Sequence, residues 1–331
     1  MPCEGARVPA QRDAENRVPF STRLYFGSGS VAEGVKNTAF NVFLLFYYNQ
    51  VLGLPGTLSG IAIFIALCVD AVTDPLVGSL SDNFHSRWGR RHPFMYSAAL
   101  PMSVCFFLLF NPPADLGQTG LFAWLIAFAV GVRVSMTLYQ IPSGSMLPEL
   151  TPNYDERTTL VSYRFLFGWM GGLGISYLGY LYFFAPSEAF SDGRLDASAY
   201  GVFGGACAVI VFAAILCCAL GTHRLIPTLK KAETRFTLRR FARDMRGVLR
   251  NRSYRMLLFG SLFAAVASGF SDVMGLYMNT YFWGFSTAEL AVLVSALVVS
   301  VVLAFAGTPR LAARFDKKSS VVGVASFAIL F

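Results

Sequence analysis

The chain has 331 residues and a formal net charge of +8; 55% of its residues are hydrophobic and 14% are charged. Soluble proteins have a charged fraction nearer a quarter, so this composition excludes an ordinary soluble domain. Apolar stretches of about 20 residues, long enough to cross a bilayer, recur along the chain. Eight are complete and a ninth reaches Phe331, which predicts an all-α integral membrane protein.

Basic residues are concentrated on one side of the predicted spans. With the amino terminus inside, the inner segments are 1–26, 81–93, 143–158, 222–255 and 310–318. The exceptions among the 27 Lys and Arg residues are Lys36, Arg133, Arg164 and Arg194. The positive-inside rule therefore predicts a cytoplasmic amino terminus. The positive charge does not indicate nucleic-acid binding, because no motif for it is present.

The first span, about residues 27–48, carries Glu33, Lys36 and Asn37 in its first turns. Glu33 and Lys36 are three residues apart, so they can pair on one helix face and neutralise each other. The alternative is that Lys36 or Asn37 faces a central cavity. The sequence leaves both interpretations open.

The second span, residues 58–80, contains a pair of aspartates. Asp70 and Asp74 are four residues apart, so their side chains project from the same helix face. A charge at bilayer depth costs about 2.5–3.5 kcal/mol, which indicates a water-lined or cation-lined site. Pro75 cannot donate to the carbonyl of Ala71, and free oxygens of this kind suit a hard cation.

The loop after this span reads SDNFHSRWGRRHP and predicts a gating element. Its candidate residues are Asp82, Arg87, Gly89, Arg90 and Arg91. The glycine permits a tight turn, and the arginines can pair with carboxylates. The acidic residues of the next inner segment, Glu149, Asp155 and Glu156, are predicted to reach them. Such salt bridges form and break in gating, although a solvated loop is the alternative.

The fourth and fifth spans each carry an arginine. Arg133 lies in the middle of span four (121–141) and needs a carboxylate partner, which we expect from span one or two. Arg164 lies one turn into span five (159–185). Span five also has small residues at a density typical of close helix packing: Gly168, Gly171, Gly172, Gly174 and Gly179.

The remaining segments define the domain organisation. We interpret 186–199 as a solvated outer loop and 222–255 as a basic linker. Within the linker an apolar face suits the inner leaflet; it comprises Leu238, Phe241, Met245 and Val248. The predicted domains are an amino-terminal six-helix half (1–221), the cytoplasmic linker (222–255) and an incomplete carboxy-terminal half (256–331). The role of Asp272, in span seven, stays open.

Several of these segments together resemble a known family. The stretch LGLPGTLSGIAIFIALCVDAVTDPLVGSLSDNFHSRWGRRHPF is similar to the second span and following loop of the glycoside, pentoside and hexuronide cation symporters, the melibiose permease family. YNQVLGL, LYQIP, PELTPNYDER and SYRF add to the resemblance. It implies a major facilitator superfamily bundle of twelve helices, of which we expect this chain to be an amino-terminal fragment that does not transport by itself.

The resemblance also implies roles for individual residues. Asp70, Asp74 and Thr137 match positions that bind the coupling sodium, lithium or proton, and Asn37 is assigned to the same site. The positions that line the sugar site match Lys36 (with Asn37), Gln140 and Arg164. Asn37 and Gln140 replace carboxylates of the family, and Gly144 stands where a tryptophan stacks on the sugar.

We therefore predict a symporter for a sugar or glycoside, coupled to sodium or a proton. No cofactor is expected, and no metal beyond a possible sodium at Asp70 and Asp74. The expected partners are a small solute and the lipid bilayer, without nucleic acid, for a monomer in the cell membrane. The alternatives are a lysophospholipid as solute, or a sensor that does not translocate. An enzyme is disfavoured, because no HExxH, GxSxG or CxxC motif occurs.

Overall fold

The computed structural model describes residues 18–314, apart from 189, 229–242, 244, 245, 248 and 249. Within these residues the chain is helical and contains no strand. The predicted apolar face of the linker and the predicted ninth span lie outside the described residues.

Helices occupy all eight of the predicted complete spans. The first span consists of α1 (Phe20–Ser28), α2 (Ser30–Thr38) and the π-helical segments Ala39–Leu44 and Tyr47–Val51. The next five spans are α3 (Gly56–Asn83), α4 (His92–Leu109), α5 (Gln118–Leu150), α6 (Tyr154–Leu178) and α7 (Ala197–Thr222). The last two are α8 (Arg252–Tyr277) and α9 (Thr287–Arg314). The π-helical segments Gly179–Phe183 and Met278–Phe282 extend α6 and α8.

The surface of these helices is suited to lipid. Six helical stretches of the described part are long and apolar enough to cross a membrane. Large apolar side chains lie on their outer faces, where Phe64, Val209 and Phe263 are 64%, 69% and 72% exposed. Helices satisfy their backbone hydrogen bonds internally and so tolerate hydrocarbon. The chain is a multi-pass membrane protein.

The helices pack against one another as a bundle. α5 lies against α3 and α4, and α4 lies against α7. α2 packs along α6, while α1 contacts both α6 and α7. α8 contacts the first π-helical segment, and α9 contacts α6. We call the end formed by residues 81–93 and 148–158 the basic end, and the end formed by residues 184–196 the opposite end.

α5 extends farther toward the basic end than predicted. It continues through Pro142 and Pro148 to Leu150, although we expected it to end near Ile141 because proline lacks a backbone donor. Neighbouring helices and side chains make such prolines tolerable in membrane bundles. The extension places Glu149 at the basic end, beside the arginines of the loop after α3.

Glycines bring α2 and α6 into close contact. A Cβ atom added to Gly34 would collide with the carbonyl oxygen of Gly168, and one added to Gly172 would lie 2.8 Å from the Thr38 hydroxyl. Only residues without a side chain permit this approach. The close approach positions Arg164 of α6 beside the polar first turns of α2.

Candidate functional site

Asp70 and Asp74, which we call the carboxylate pair, lie next to Thr137 of α5. The Thr137 hydroxyl is 2.8 Å from Oδ1 of Asp74 and 3.3 Å from Oδ1 of Asp70. The spacing of four residues places both carboxylates on the face of α3 that meets α5. The structure therefore brings together three of the four residues predicted to bind the cation.

Arg133 is bound to one member of the carboxylate pair. Its Nη1 lies 2.5 Å from Oδ2 of Asp70, so the partner predicted from span one or two comes from span two. The guanidinium also lies over the Phe40 ring, 5.3 Å from its centroid. Arg133 is buried, one turn before Thr137 on α5.

Lys36 and Asn37 are adjacent in sequence but face different surroundings. Lys36 is buried and interacts electrostatically with Arg133 and both members of the carboxylate pair. Asn37 lies in the wall of a cavity. The two neighbours thus differ in exposure, because Lys36 is buried and Asn37 is exposed in the cavity wall.

The cavity has a volume of about 830 Å³ and lies between the first span, α5, α6, α8 and α9. Pockets for small organic molecules span roughly 300–1,000 Å³. Its polar lining combines amides with charges of both signs: Glu33, Asn37, Asn41, Gln140, Arg164, Asp272 and Asn279. Phe165 and Trp169 add aromatic surface from α6. Two of the residues predicted to bind solute, Gln140 and Arg164, thus share one cavity.

Glu33 connects the polar groups of this cavity. It accepts a hydrogen bond of 2.8 Å from Gln140 Nε2, and its Oε2 lies 3.8 Å from Nη2 of Arg164. Arg164 also donates from Nε to the Ser30 hydroxyl at 3.2 Å. The charge of Glu33 is thus balanced mainly across the cavity, and not by Lys36 alone as the spacing of three suggested.

Asp272 of α8 also lines the cavity. Its Oδ2 accepts a hydrogen bond of 3.2 Å from the amide of Asn41. The sequence left the role of Asp272 open, because its partner is 231 positions away. Asp272 thus adds a carboxylate to the cavity wall, where the side chains of Asn37 and Gln140 are uncharged amides.

The loop at the basic end forms an ion-pair network. Arg91 lies 2.9 Å from Glu149 and 3.3 Å from Asp82, and Arg90 also pairs with Glu149. Gly89 has a φ of 75°, which a glycine adopts without strain. Arg87 lies over the ring of Trp88, 5.2 Å from its centroid.

The other acidic residues predicted to reach the arginine loop differ from Glu149. Glu156 pairs with Arg23 at 3.1 Å, so it ties α1 to the start of α6. The side chain of Asp155 lies outside the described residues. Of the three predicted acidic partners, Glu149 is the one that the structure places on the loop arginines.

The opposite end is closed by contacts to the segment after α8. Arg194 is 5% exposed; it pairs with Asp192 at 2.8 Å and donates to the Thr280 hydroxyl at 2.9 Å and to the Phe285 carbonyl at 3.1 Å. The interpretation of this loop as a plain solvated connection was wrong at Arg194. Two tyrosines donate hydrogen bonds to the end of the first span: Tyr277, the last residue of α8, to Asn49, and Tyr281 of the following segment to Gln50.

Comparison with known proteins identifies the family. Residues 25–331 match the family described as MFS/sugar transport protein. The chain belongs to this transporter family. The resemblance to the glycoside and cation symporters of the major facilitator superfamily is thereby confirmed, and the family is one of transporters, not of enzymes.

Relatives of this transporter chain carry related descriptions. An uncharacterized symporter of a Synechocystis species is 34% identical over 177 residues, which are 52% of this chain and 32% of that protein. The isoprimeverose transporter of Lactiplantibacillus pentosus is 31% identical over 212 residues, 64% of this chain and 43% of that protein. A putative glycoside/cation symporter of Escherichia coli is 30% identical over 154 residues, 46% of this chain and 33% of that protein. The chain spans less than half the length of each of these relatives.

Proposed function

We propose that this chain forms part of a secondary active transporter that carries a sugar or glycoside together with a cation, sodium or a proton, by alternating access. The observation that supports it best is that α5 serves both sites. Thr137 contacts the carboxylate pair, and Gln140, three residues later, lines the cavity. A cation at the pair and a solute in the cavity would contact the same rigid helix, so each would favour the arrangement that binds the other.

The chemistry of the cavity suits a sugar. Amides and carboxylates bond to hydroxyl groups in fixed directions, and Arg164 supplies a charged donor. The cavity also has an indole, since Trp169 lies in its wall. Apolar faces of sugars stack on such rings. In this proposal Trp169 stacks on the sugar. Gly144, which stands where the family has a stacking tryptophan, has no side chain to do so.

In this proposal the residue roles follow their surroundings. Asp70, Asp74 and Thr137 bind the cation, while Gln140 and Arg164 bind the solute. Asn37 joins the solute site because it lines the cavity, and Lys36 joins the carboxylate pair because it is buried in the field of both carboxylates. The basic end faces the cytoplasm, in accord with the positive-inside rule.

The test is uptake by the complete protein, purified and reconstituted in liposomes. Labelled glycosides are offered under an inward sodium gradient, an inward proton gradient or no gradient. Asp74→Asn is compared with Asp115→Asn, which changes an exposed aspartate of the loop after α4. We expect gradient-driven uptake that Asp74→Asn abolishes and Asp115→Asn retains.

Two results would contradict this proposal. Uptake that ignores both gradients and the Asp74 change would indicate a uniporter or exchanger. If no glycoside is taken up while a labelled lysophospholipid is, the solute class is wrong and coupling is tested again with the lipid.

A further inference from the structure

The carboxylate pair already has a positive partner. Arg133 Nη1 lies 2.5 Å from Oδ2 of Asp70, and Arg133 is 8% exposed. The Phe40 ring under the guanidinium adds a second favourable contact for the charge. Arg133 Nε is buried and has no hydrogen-bond partner among the described residues, so the polar contact that the structure shows for the guanidinium is the one to Asp70.

Part of the oxygen set that a metal ion would need is already engaged. Oδ2 of Asp70 is bound by Arg133, while Oδ1 of Asp70 and Oδ1 of Asp74 both contact the Thr137 hydroxyl. A hard cation requires several oxygen ligands at once. A sodium ion that binds Oδ2 of Asp70 would have to displace the guanidinium, and one that binds Oδ1 would lie beside the positive charge of Arg133.

The charges of the site are also balanced without an added ion. Asp70 is paired with Arg133, and the buried Lys36 lies in the electrostatic field of Asp70, Asp74, Glu33 and Arg133. The further acidic group nearby, Glu33, is bound to Arg164 and Gln140 on the cavity side. An alkali cation would therefore add a buried positive charge that has no fixed counter-charge.

We propose that Arg133 is a tethered counter-cation of Asp70 that excludes sodium and other alkali ions from the carboxylate pair. This rests on the proposed function only in taking the pair as the cation site. Of the two candidate coupling ions, it selects the proton, because a proton needs one carboxylate oxygen and no set of ligands. Asp74 is the carboxylate of the pair that does not carry the guanidinium.

The test measures binding of radioactive sodium to the purified complete protein. It requires no transported solute, so its outcome is independent of whether a glycoside is taken up. The wild type is compared with Arg133→Gln and Arg133→Leu, two shorter and neutral replacements, and with Arg133→Lys. Arg224→Gln, which neutralises an exposed arginine after α7, is the matched control.

We expect no saturable sodium binding by the wild type, Arg133→Lys or Arg224→Gln. A neutral residue at position 133 should create saturable binding, which a second change, Asp70→Asn, should remove. Saturable sodium binding by the wild type that Asp74→Asn abolishes would overturn the proposal. So would the absence of sodium binding in a folded, monodisperse Arg133→Gln or Arg133→Leu protein.

Discussion

The carboxylate of Glu149 lies 2.9 Å from the guanidinium of Arg91, and the two side chains are only 7% and 5% exposed. The pair joins the end of α5 to the loop after α3. Arg91 also reaches Asp82, whose side chain is 51% exposed. Arg91 thus has one buried and one exposed carboxylate partner, so substitutions of Glu149 and Asp82 can measure the contribution of each pair to stability.

Glu149→Gln is expected to lower stability by roughly 3 kcal/mol, because it leaves Arg91 and Arg90 without their buried counter-charge. Asp82→Asn is expected to cost less than about 1 kcal/mol, since water screens an exposed partner. Thermal unfolding of the complete protein in detergent measures both. Equal losses for the two variants would show that burial does not set the strength of this network.

Thr137→Val keeps the shape of the side chain but removes the hydroxyl that contacts both carboxylates. We expect the cation concentration for half-maximal uptake to rise by about 5–10-fold, from the loss of about one hydrogen bond. Thr137→Ser should restore it. Thr73→Val is the control, because the Thr73 hydroxyl bonds to the backbone carbonyl of Asp70 and not to its carboxylate. An equal effect of the two valines would refute the assigned role of Thr137.

Gly34→Ala is expected to destabilise the bundle by about 1–3 kcal/mol, because its methyl group would collide with the Gly168 carbonyl at the crossing of α2 and α6. Gly60→Ala is the matched change in α3. No described atom lies within 4 Å of a Cβ there, and alanine favours helix by about 1 kcal/mol over glycine. The unfolding temperature should fall for the first variant and stay level or rise for the second.

Arg194→Gln should loosen the opposite end, because the contacts of Arg194 to Thr280 and to the Phe285 carbonyl need its two terminal nitrogens. A cysteine at Asn279, in a background without native cysteines, reports access to the cavity. Labelling by an impermeant maleimide should become at least several-fold faster with Arg194→Gln and stay unchanged with Asp115→Asn. An unchanged rate with Arg194→Gln would show that Arg194 does not hold this end closed.

The sequence predicted the parts of the candidate site that depend on the spacing of residues within one helix. Four residues between Asp70 and Asp74 define one face of a helix, and a mid-span Arg133 requires a carboxylate. The sequence could not separate Lys36 from Asn37, because the rotation of a helix about its axis depends on its neighbours. Gly34 indicates in part how the first span is rotated, since small residues mark the side of close packing.

Long-range partners were the main omission. Asp272 and Asn41 meet across 231 positions, and Arg194 binds Thr280 across 86. Neither spacing has a periodic signal, because the first contact depends on how α8 lies against the first span, and the second on how the segment after α8 lies against the loop between α6 and α7. Trp169 was missed for a related reason: an aromatic residue in an apolar span is usually a packing or lipid-facing residue, and only the cavity distinguishes it.

Three of the spans that line the cavity contain a π-helical segment, in which the winding of the helix can change. Asn41, Tyr180 and Asn279 each lie in such a segment, in the first, fifth and seventh spans, and each lines the cavity. A π turn holds one more residue than an α turn. Its conversion to α would rotate the rest of the span by about 100° without breaking the helix. A change of winding in any of these three segments would thus reorient the cavity-lining residue that it carries.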